Sequence, residues 1–288
     1  MPTRININGV ITSPEEAKVS VLDHGFLFGD SIYEALRTYR QKPFLFSKHF
    51  ARLEHSAKGV ALDLNWDAKR TYAEILNTLQ VAANSHESRI RLVVTRGVGD
   101  LSPDTEACTT PTVVIIVSPL VEPPAAVYEN GVDVIISSFH RTLQFADVKT
   151  GNLIRQVLAF REAKAAKAYE AILLTPEGVI SDGTTSNIYF LRKGALLTPS
   201  HEAGIVAGIT RSIVLDLARD AGLDVVEGLF VVDEIAGAEE MFLTSTTREV
   251  VPITRVNGTL VGNGRPGTVT LGLLNAYRRA IDRLIEED

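Results

Sequence analysis

Pro123 and Pro124 constrain the folding of this 288-residue chain more than any other neighbouring pair. A proline has no N–H to donate, and its ring fixes φ. Two in succession therefore exclude a continuing helix or a central strand. They stand in a stretch running from Ser118-Pro119 to Ala125-Ala126, and this places a boundary between residues 118 and 128. The expected organisation is a small N-terminal α/β portion over 1–118, a linker over 119–128 and a larger portion over 129–288. A chain of this length holds one large domain or two modest ones, each with a real core.

Apolar periodicity on both sides reads as α+β. Along Ser31 to Tyr39, Tyr33, Ala35, Arg37 and Tyr39 share one strand face, and Ile32, Glu34, Leu36 and Thr38 the other. A turn at Gln41-Lys42-Pro43 then predicts a hairpin through Phe44-Leu45-Phe46. Ser47 follows as the expected N-cap of a helix burying Phe50, Leu53, Ala57 and Val60. A second helix is expected from Asp67 to about Ala83, then strands over Arg89–Thr95 and Thr112–Val117. Beyond the linker, the pattern predicts a strand over Val132–Ile136 and a helix over Asn152–Ala168 with Leu153, Val157, Leu158 and Phe160 apolar. Strands Ala171–Leu174, Ile188–Leu191 and Ala195–Leu197 follow, then a helix over Thr210–Ala221 stopped by Gly222. Strands near Val225 and over Met241–Leu243 precede a last helix over about Thr268–Ile285. Short antiparallel strands with helices around them suggest α+β layers and not a doubly wound sheet.

Composition removes several classes of function. The net charge of −6, with its basic residues scattered, lacks the clustered cations of a nucleic-acid footprint. Cys108 is the single cysteine, which excludes an intramolecular disulfide and fits a reducing compartment. Met1-Pro2-Thr3-Arg4-Ile5-Asn6 lacks a signal-peptide profile, and the longest apolar run, Val113 to Val117, falls far short of the roughly 20 residues of a membrane helix. A cytoplasmic location is the expectation. His24, His49, His55, His86, His140 and His201 are too dispersed to read as a metal site. Arg96-Gly97-Val98-Gly99 lacks the third glycine of a dinucleotide loop, and there is neither a P-loop nor a Gly-x-Ser-x-Gly elbow.

Lys149 carries the most chemical content of any residue, by virtue of its downstream neighbours. Val148-Lys149-Thr150-Gly151-Asn152 leads into a helix, a strand and then Ser181-Asp182-Gly183-Thr184-Thr185-Ser186-Asn187. By itself a lysine near a helix start is solvated surface, and Asp-Gly is an ordinary turn. Together, an amine and a later carboxylate can hold both ends of a pyridine-aldehyde cofactor. The amine forms a Schiff base, and the carboxylate keeps the ring nitrogen protonated. Glu177 is the nearby competitor for the second role, although Pro176-Glu177-Gly178 reads as a hairpin tip.

Two later segments read as phosphate cradles or, more plainly, as caps. In Gly208-Ile209-Thr210-Arg211 a helix start offers free N–H groups and a positive dipole end. In Thr244-Ser245-Thr246-Thr247 a strand ends in hydroxyls. Arg52 is a possible charged partner for the same phosphate, against the alternative of a solvated helix face. Arg89 and Arg91 project from one strand face, either into solvent or as a receptor for a substrate carboxylate. Tyr33 and Arg37 are further substrate candidates.

On these motifs the chain resembles the class IV (fold type IV) pyridoxal-phosphate aminotransferases, most nearly the branched-chain type. The resemblance runs through Asp23-His24-Gly25-Phe26-Leu27-Phe28-Gly29-Asp30, Tyr33-Glu34, His49 with Arg52-Leu53 and Ser56-Ala57, and Val94-Thr95-Arg96-Gly97. It continues through Lys149 with Asn152, Asp182-Gly183 with Ser186-Asn187, Gly208-Ile209-Thr210-Arg211 and Ser245-Thr246-Thr247, so that it covers nearly the whole chain. It implies a two-domain α+β fold, a small N-terminal α/β domain and a larger C-terminal one with the cofactor between them. It makes Lys149 the Schiff-base lysine and proton shuttle. Arg52, Ile209, Thr210 and Thr246 would hold the phosphate of pyridoxal 5'-phosphate, Ser245 would also bind the cofactor, and Asp182, where the family usually has Glu, would face the ring nitrogen. Tyr33, Arg37, Arg89, Arg91 and Thr247 would meet the substrate.

The implied reaction is ping-pong transfer of an amino group between an amino acid, of branched-chain L type, and a 2-oxo acid such as 2-oxoglutarate. Resembling D-amino acid enzymes carry an Arg and a His in the loop after Thr-Arg-Gly; here Val98-Gly99-Asp100-Leu101-Ser102-Pro103 has neither. A D-amino acid transaminase and an aminodeoxychorismate lyase remain the alternatives on this scaffold. The implied assembly is a homodimer or higher homo-oligomer, without nucleic-acid or membrane partners.

Overall fold

The computed structural model describes residues 3–288; Met1 and Pro2, the start of the amino-terminal stretch that lacks a signal-peptide profile, lie outside the described residues. The chain divides into two compact units. The first takes the described residues through Val121, then Val148–Asn152 and Asp282–Asp288; the second takes Glu122–Asp147 and Leu153–Ile281. The five-residue segment bearing Lys149 thus belongs to the first unit.

In the first unit, β1 (Arg4–Ile7), β2 (Val10–Thr12), α1 (His24–Leu27), β3 (Ser31–Tyr39), β4 (Lys42–Pro43), α2 (Phe46–Gly59), α3 (Ala68–Ala82), β5 (Ser88–Thr95) and β6 (Thr112–Pro119) follow in order. The strands form one antiparallel sheet, ordered β2-β1-β6-β5-β3-β4. Strand alternation decides its two faces. Ile32 and Leu36 of β3 lie opposite Val94 and Ile90 of β5, and these pair onward with Val113 and Val117 of β6. This apolar face packs on Phe50, Leu53 and Ala57 of α2 and Ile75 and Ala82 of α3. Each large apolar side chain of this kind, fully buried, contributes roughly 1.5–3 kcal/mol. The opposite face carries Tyr33, Arg37, Tyr39, Arg89 and Arg91.

Two local expectations fail here. The hairpin stops after the two residues of β4, and Phe44, Leu45 and Phe46 turn inward to fill the core. Consequently α2 starts at Phe46, its N-cap is Leu45 in the left-handed region (φ 53°), and Ser47 sits inside the first turn. Asp67, by contrast, does cap α3, accepting the Arg70 N–H at 2.7 Å.

The second unit holds α4 (Ala125–Asn130), β7 (Val132–His140), α5 (Ile154–Ala165), β8 (Glu170–Leu174), β9 (Ile180–Gly183), β10 (Asn187–Arg192), β11 (Ala195–Pro199), α6 (Ile209–Asp220) and β12 (Asp224–Gly228). After these come α7 (Val232–Ile235), β13 (Glu240–Ser245), β14 (Glu249–Val256), β15 (Thr259–Leu260) and α8 (Thr268–Glu287), whose last turn belongs to the first unit. The sheet order is β12-β11-β10-β13-β14-β7-β8-β9, with β15 on β14.

Antiparallel pairing is not uniform, contrary to the expectation from short strands: β11–β12, β14–β7 and β7–β8 are parallel. Each of these pairs needs a long connection, which the helices supply. Pro124 does not suppress helix but starts one, as the N-cap of α4, where its missing N–H costs nothing. On α5 the buried residues are Ala159 and Ala163, while Val157 and Phe160, two of the apolar residues noted in the sequence, are exposed.

Candidate active site

Lys149 is held by its backbone before its side chain does anything. Its N–H donates to Ser56 Oγ of α2 at 3.1 Å, and its carbonyl accepts the Tyr33 N–H at 3.0 Å. Gly151 N–H donates to the Ser31 carbonyl, and Asn152 Nδ2 to the Gly29 carbonyl. The segment therefore lies along the start of β3. The Lys149 Nζ donates to Tyr33 Oη at 3.4 Å and stands 4.4 Å from the Tyr33 ring centroid. The Arg91 guanidinium lies over the same ring at 4.1 Å. Among the described residues Arg91 has no carboxylate partner. Burial, reinforced by neighbouring Arg89, holds its guanidinium below the usual arginine range. A half-buried cation beside an amine, with no anion of its own, is suited to bind a substrate carboxylate.

Arg89 and Arg91 do share a face, as alternation predicts, but Arg89 is exposed. Arg37, opposite Arg89 in register, is buried with its guanidinium 3.9 Å from the Tyr39 ring.

Arg52 is not a solvated residue. Its Nε and Nη2 each donate at 2.7 Å to the two oxygens of Glu34, and His49 Nδ1 meets the same carboxylate at 2.7 Å. Burial would raise the Glu34 carboxyl, but Arg52 and then His49 outweigh it and hold it down to about 2. Burial pushes the His49 imidazole down; Glu34 opposes this, while Arg52 and Lys149 add to it.

The second unit presents the carboxylate and the hydroxyls. Asp182, on β9, is 5% exposed; Val206 N–H donates to it at 3.4 Å and Arg141 Nη2 stands 3.8 Å away. Arg141 is itself fixed to the Gly204 and Ala146 carbonyls. Glu177 is exposed, which leaves Asp182 as the inward carboxylate of that hairpin. The N-cap of α6 is Gly208, which contributes no side-chain hydrogen bond to the first turn; Ile209 and Thr210, the first helical residues, are buried. A Cβ at Gly208 would collide with the Asn187 carboxamide. The same helix packs on β13, which ends at Ser245; Thr246 and Thr247 follow, half-buried, in the turn.

An uncapped 12-residue helix start, a backbone approach open only to glycine and a turn rich in hydroxyls suit a phosphate. A buried carboxylate suits a pyridinium, and a lysine tethered at Tyr33 suits an aldehyde. The residues therefore fit pyridoxal 5'-phosphate.

Sequence reasoning gave no role to Glu34, His49 or Arg141, although a carboxylate between Ile32 and Leu36 on the core face was a signal for the first. A groove of about 600 Å³ lined by Phe46, Phe50, Glu54 and Tyr72 contains none of the candidate residues. Among the described residues no cluster of His, Cys, Asp and Glu could hold a metal, and no helix is long and apolar enough to cross a membrane.

Known proteins resemble this chain along almost its whole length. The family described as "Amino-transferase class IV" matches residues 31–256. A Methanocaldococcus jannaschii protein provisionally named a branched-chain-amino-acid aminotransferase is 36% identical, over 96% of this chain and 95% of its own. The D-alanine aminotransferase of Bacillus licheniformis is 34% identical, over 96% and 97%. The crystal structure of the Escherichia coli branched-chain amino acid aminotransferase superposes with a TM-score of 0.91 at 27% identity, covering 98% and 95%.

Proposed function

This chain belongs to the class IV aminotransferases, and we propose on that premise that its donors are branched-chain L-amino acids and its acceptor is a 2-oxo acid such as 2-oxoglutarate. The enzyme is a pyridoxal-phosphate transaminase. When bound, the cofactor supplies an electron-poor ring that takes up the electron pair left at the substrate α-carbon.

The protein's residues do the rest. Lys149 Nζ, oriented by Tyr33 Oη, removes the α-proton and returns it on the other side of the transfer. Arg91 clamps the substrate carboxylate, with Tyr33, Arg37, Arg89 and Thr247 forming the remainder of the substrate wall. Asp182 holds the proton on the ring nitrogen. Arg52, the α6 amides at Ile209 and Thr210, and the hydroxyls of Ser245 and Thr246 take the phosphate. The observation that carries this reading is Lys149 Nζ and Arg91 on one aromatic ring, amine beside anion receptor.

Branched-chain L donors are favoured over D-alanine by the loop at Val98–Pro103, which carries no Arg or His, and by the fold likeness to the E. coli enzyme. We place the protein in the cytoplasm, in keeping with a single free cysteine, and as a homodimer or higher homo-oligomer.

The test is initial-rate transamination with paired L- and D-isomers of valine, leucine and alanine, against 2-oxoglutarate and pyruvate. L-Leucine or L-valine with 2-oxoglutarate is expected to be fastest, and Lys149→Ala to lose at least about 10³-fold while keeping its fold by circular dichroism. Faster turnover of D-alanine would overturn the substrate assignment. Product formation without any keto acid would point instead to a lyase.

A further inference from the structure

Glu170 is fully buried at the start of β8, and none of its contacts belongs to the roles assigned to the cofactor and substrate residues. Its Oε1 accepts the N–H and hydroxyl of Thr184; its Oε2 accepts Ser186 Oγ at 3.2 Å and Arg248 Nη1 at 3.1 Å. Both Thr184 and Ser186 lie in the turn that follows Asp182. Arg248 lies in the other turn, after Thr247. Its Nε donates to Ser245 Oγ at 2.9 Å, and its Nη2 to Thr185 Oγ1 at 2.8 Å and the Thr185 carbonyl at 3.2 Å.

One carboxylate and one guanidinium thus tie the Asp182 turn to the Ser245–Thr247 turn. The far side of the second turn is tied as well. Glu249 sits in the left-handed region (φ 59°), which a non-glycine residue adopts only when its surroundings hold it there. Its carboxylate is held by Arg278 of α8 at 2.7 Å.

The chemistry at Ser245 follows from hydrogen-bond polarity. A hydroxyl that accepts from a guanidinium N–H has its own proton left to give elsewhere. Arg248 therefore presets Ser245 as a donor, the polarity a phosphate oxygen requires. Buried ion pairs add little net stability compared with apolar packing, so a pair this well hydrogen-bonded is better explained by the geometry it imposes.

We propose that Glu170, acting through Arg248, is a positioning residue that orients Ser245 and the 184–186 turn for the phosphate-bearing cofactor. This rests on the assignment of Ser245 to the phosphate in the proposed function.

The test is a double-mutant cycle on cofactor affinity. Apo-protein of the wild type, Glu170→Gln, Ser245→Ala and the double variant is titrated with pyridoxal 5'-phosphate, and thermal unfolding of each apo form is recorded. Each single change is expected to weaken binding about tenfold, the double variant no more than the worse single, because both remove one oriented donor. A purely structural Glu170 would lower the apo melting temperature and leave the two losses to multiply. Multiplying losses, or a Glu170→Gln dissociation constant within twofold of wild type, would overturn the proposal. Should Glu170→Gln fail to fold, Arg248→Lys replaces it in the cycle. Its ammonium keeps the charge but cannot bridge Ser245 and Thr185, and the same non-additivity is expected. Wild-type binding of the cofactor at Lys149, read by mass spectrometry after borohydride reduction, separates failure of this proposal from failure of the site itself.

Discussion

Glu34 shares its strand face with Ile32 and Leu36, where a carboxylate survives only if it is fully paired. Arg52 and His49 provide that pairing, and the sign of its pH dependence is determined. The folded carboxyl is held at about 2 against an ordinary 4.5, so its stabilisation is complete above pH 4.5 and is lost as pH falls toward 2. His49 acts in the same direction: its folded pKa is depressed, so below about 6.5 the unfolded chain takes up a proton that the folded one refuses. Urea unfolding at pH 7.5, 5.5 and 3.5 is expected to show stability falling at each step, with Glu34 accounting for about 1.4 kcal/mol of the loss by pH 3.5 and on the order of 3 kcal/mol by pH 2. Glu34→Gln should cost about 3–5 kcal/mol at pH 7.5, because Arg52 loses its counter-charge, and should flatten the acid limb. An unchanged acid limb in that variant would contradict the pairing. Sequence pattern placed Glu34 on the correct strand face, but its partners lie 15 and 18 residues away on another element, and periodicity carries no information about them.

At the scale of elements, α6 was legible almost to the residue, since its apolar spacing and Gly222 are local signals. What its start does is a further matter. With Gly208 contributing no side-chain cap, the α6 start leaves its first amides for an anion, and the proposed site puts Thr210 there. Thr210→Val is expected to weaken pyridoxal 5'-phosphate about 10- to 100-fold, the loss of one charge-assisted hydrogen bond, and to leave pyridoxal without its phosphate unaffected. Equal losses for both ligands, measured by equilibrium dialysis, would show that Thr210 does not face the phosphate. Helix α5 teaches the opposite lesson. Its apolar residues are visible in the sequence, but which of them meet the core is not, because periodicity reports an apolar residue and not what covers it.

For the molecule as a whole, those uncovered apolar residues have a consequence. Ile154, Val157 and Phe160 are exposed along α5, and Val21, Phe26 and Leu101 are more than two-thirds exposed in the first unit, where the Gly99 N–H to Leu22 carbonyl bond brings their loops together. Apolar surface of this kind is what the proposed homo-oligomer would cover. Light scattering after size exclusion is expected to give at least twice the 31.3 kDa chain, and Val157→Glu to shift the population toward monomer. A wild-type monomer at micromolar concentration would refute this.

The sequence by itself determined everything that depends on near neighbours. It specified which stretches alternate like strands, where the Asp67 and Gly208 helix starts fall, and that a lysine is followed by Asp182 in a hydroxyl-rich turn. Its limits were tertiary. Glu170 meets Arg248 across 78 positions, Arg91 meets Tyr33 across two strands, and the start of α2 is capped by Asp288, whose Oδ2 accepts the Phe46 N–H at 2.7 Å from 242 positions away. The physical reason is the same in each case. A buried charge or a cap is satisfied by whichever group folding brings within about 3 Å, and that proximity comes from strand register and loop closure, which no local spacing encodes.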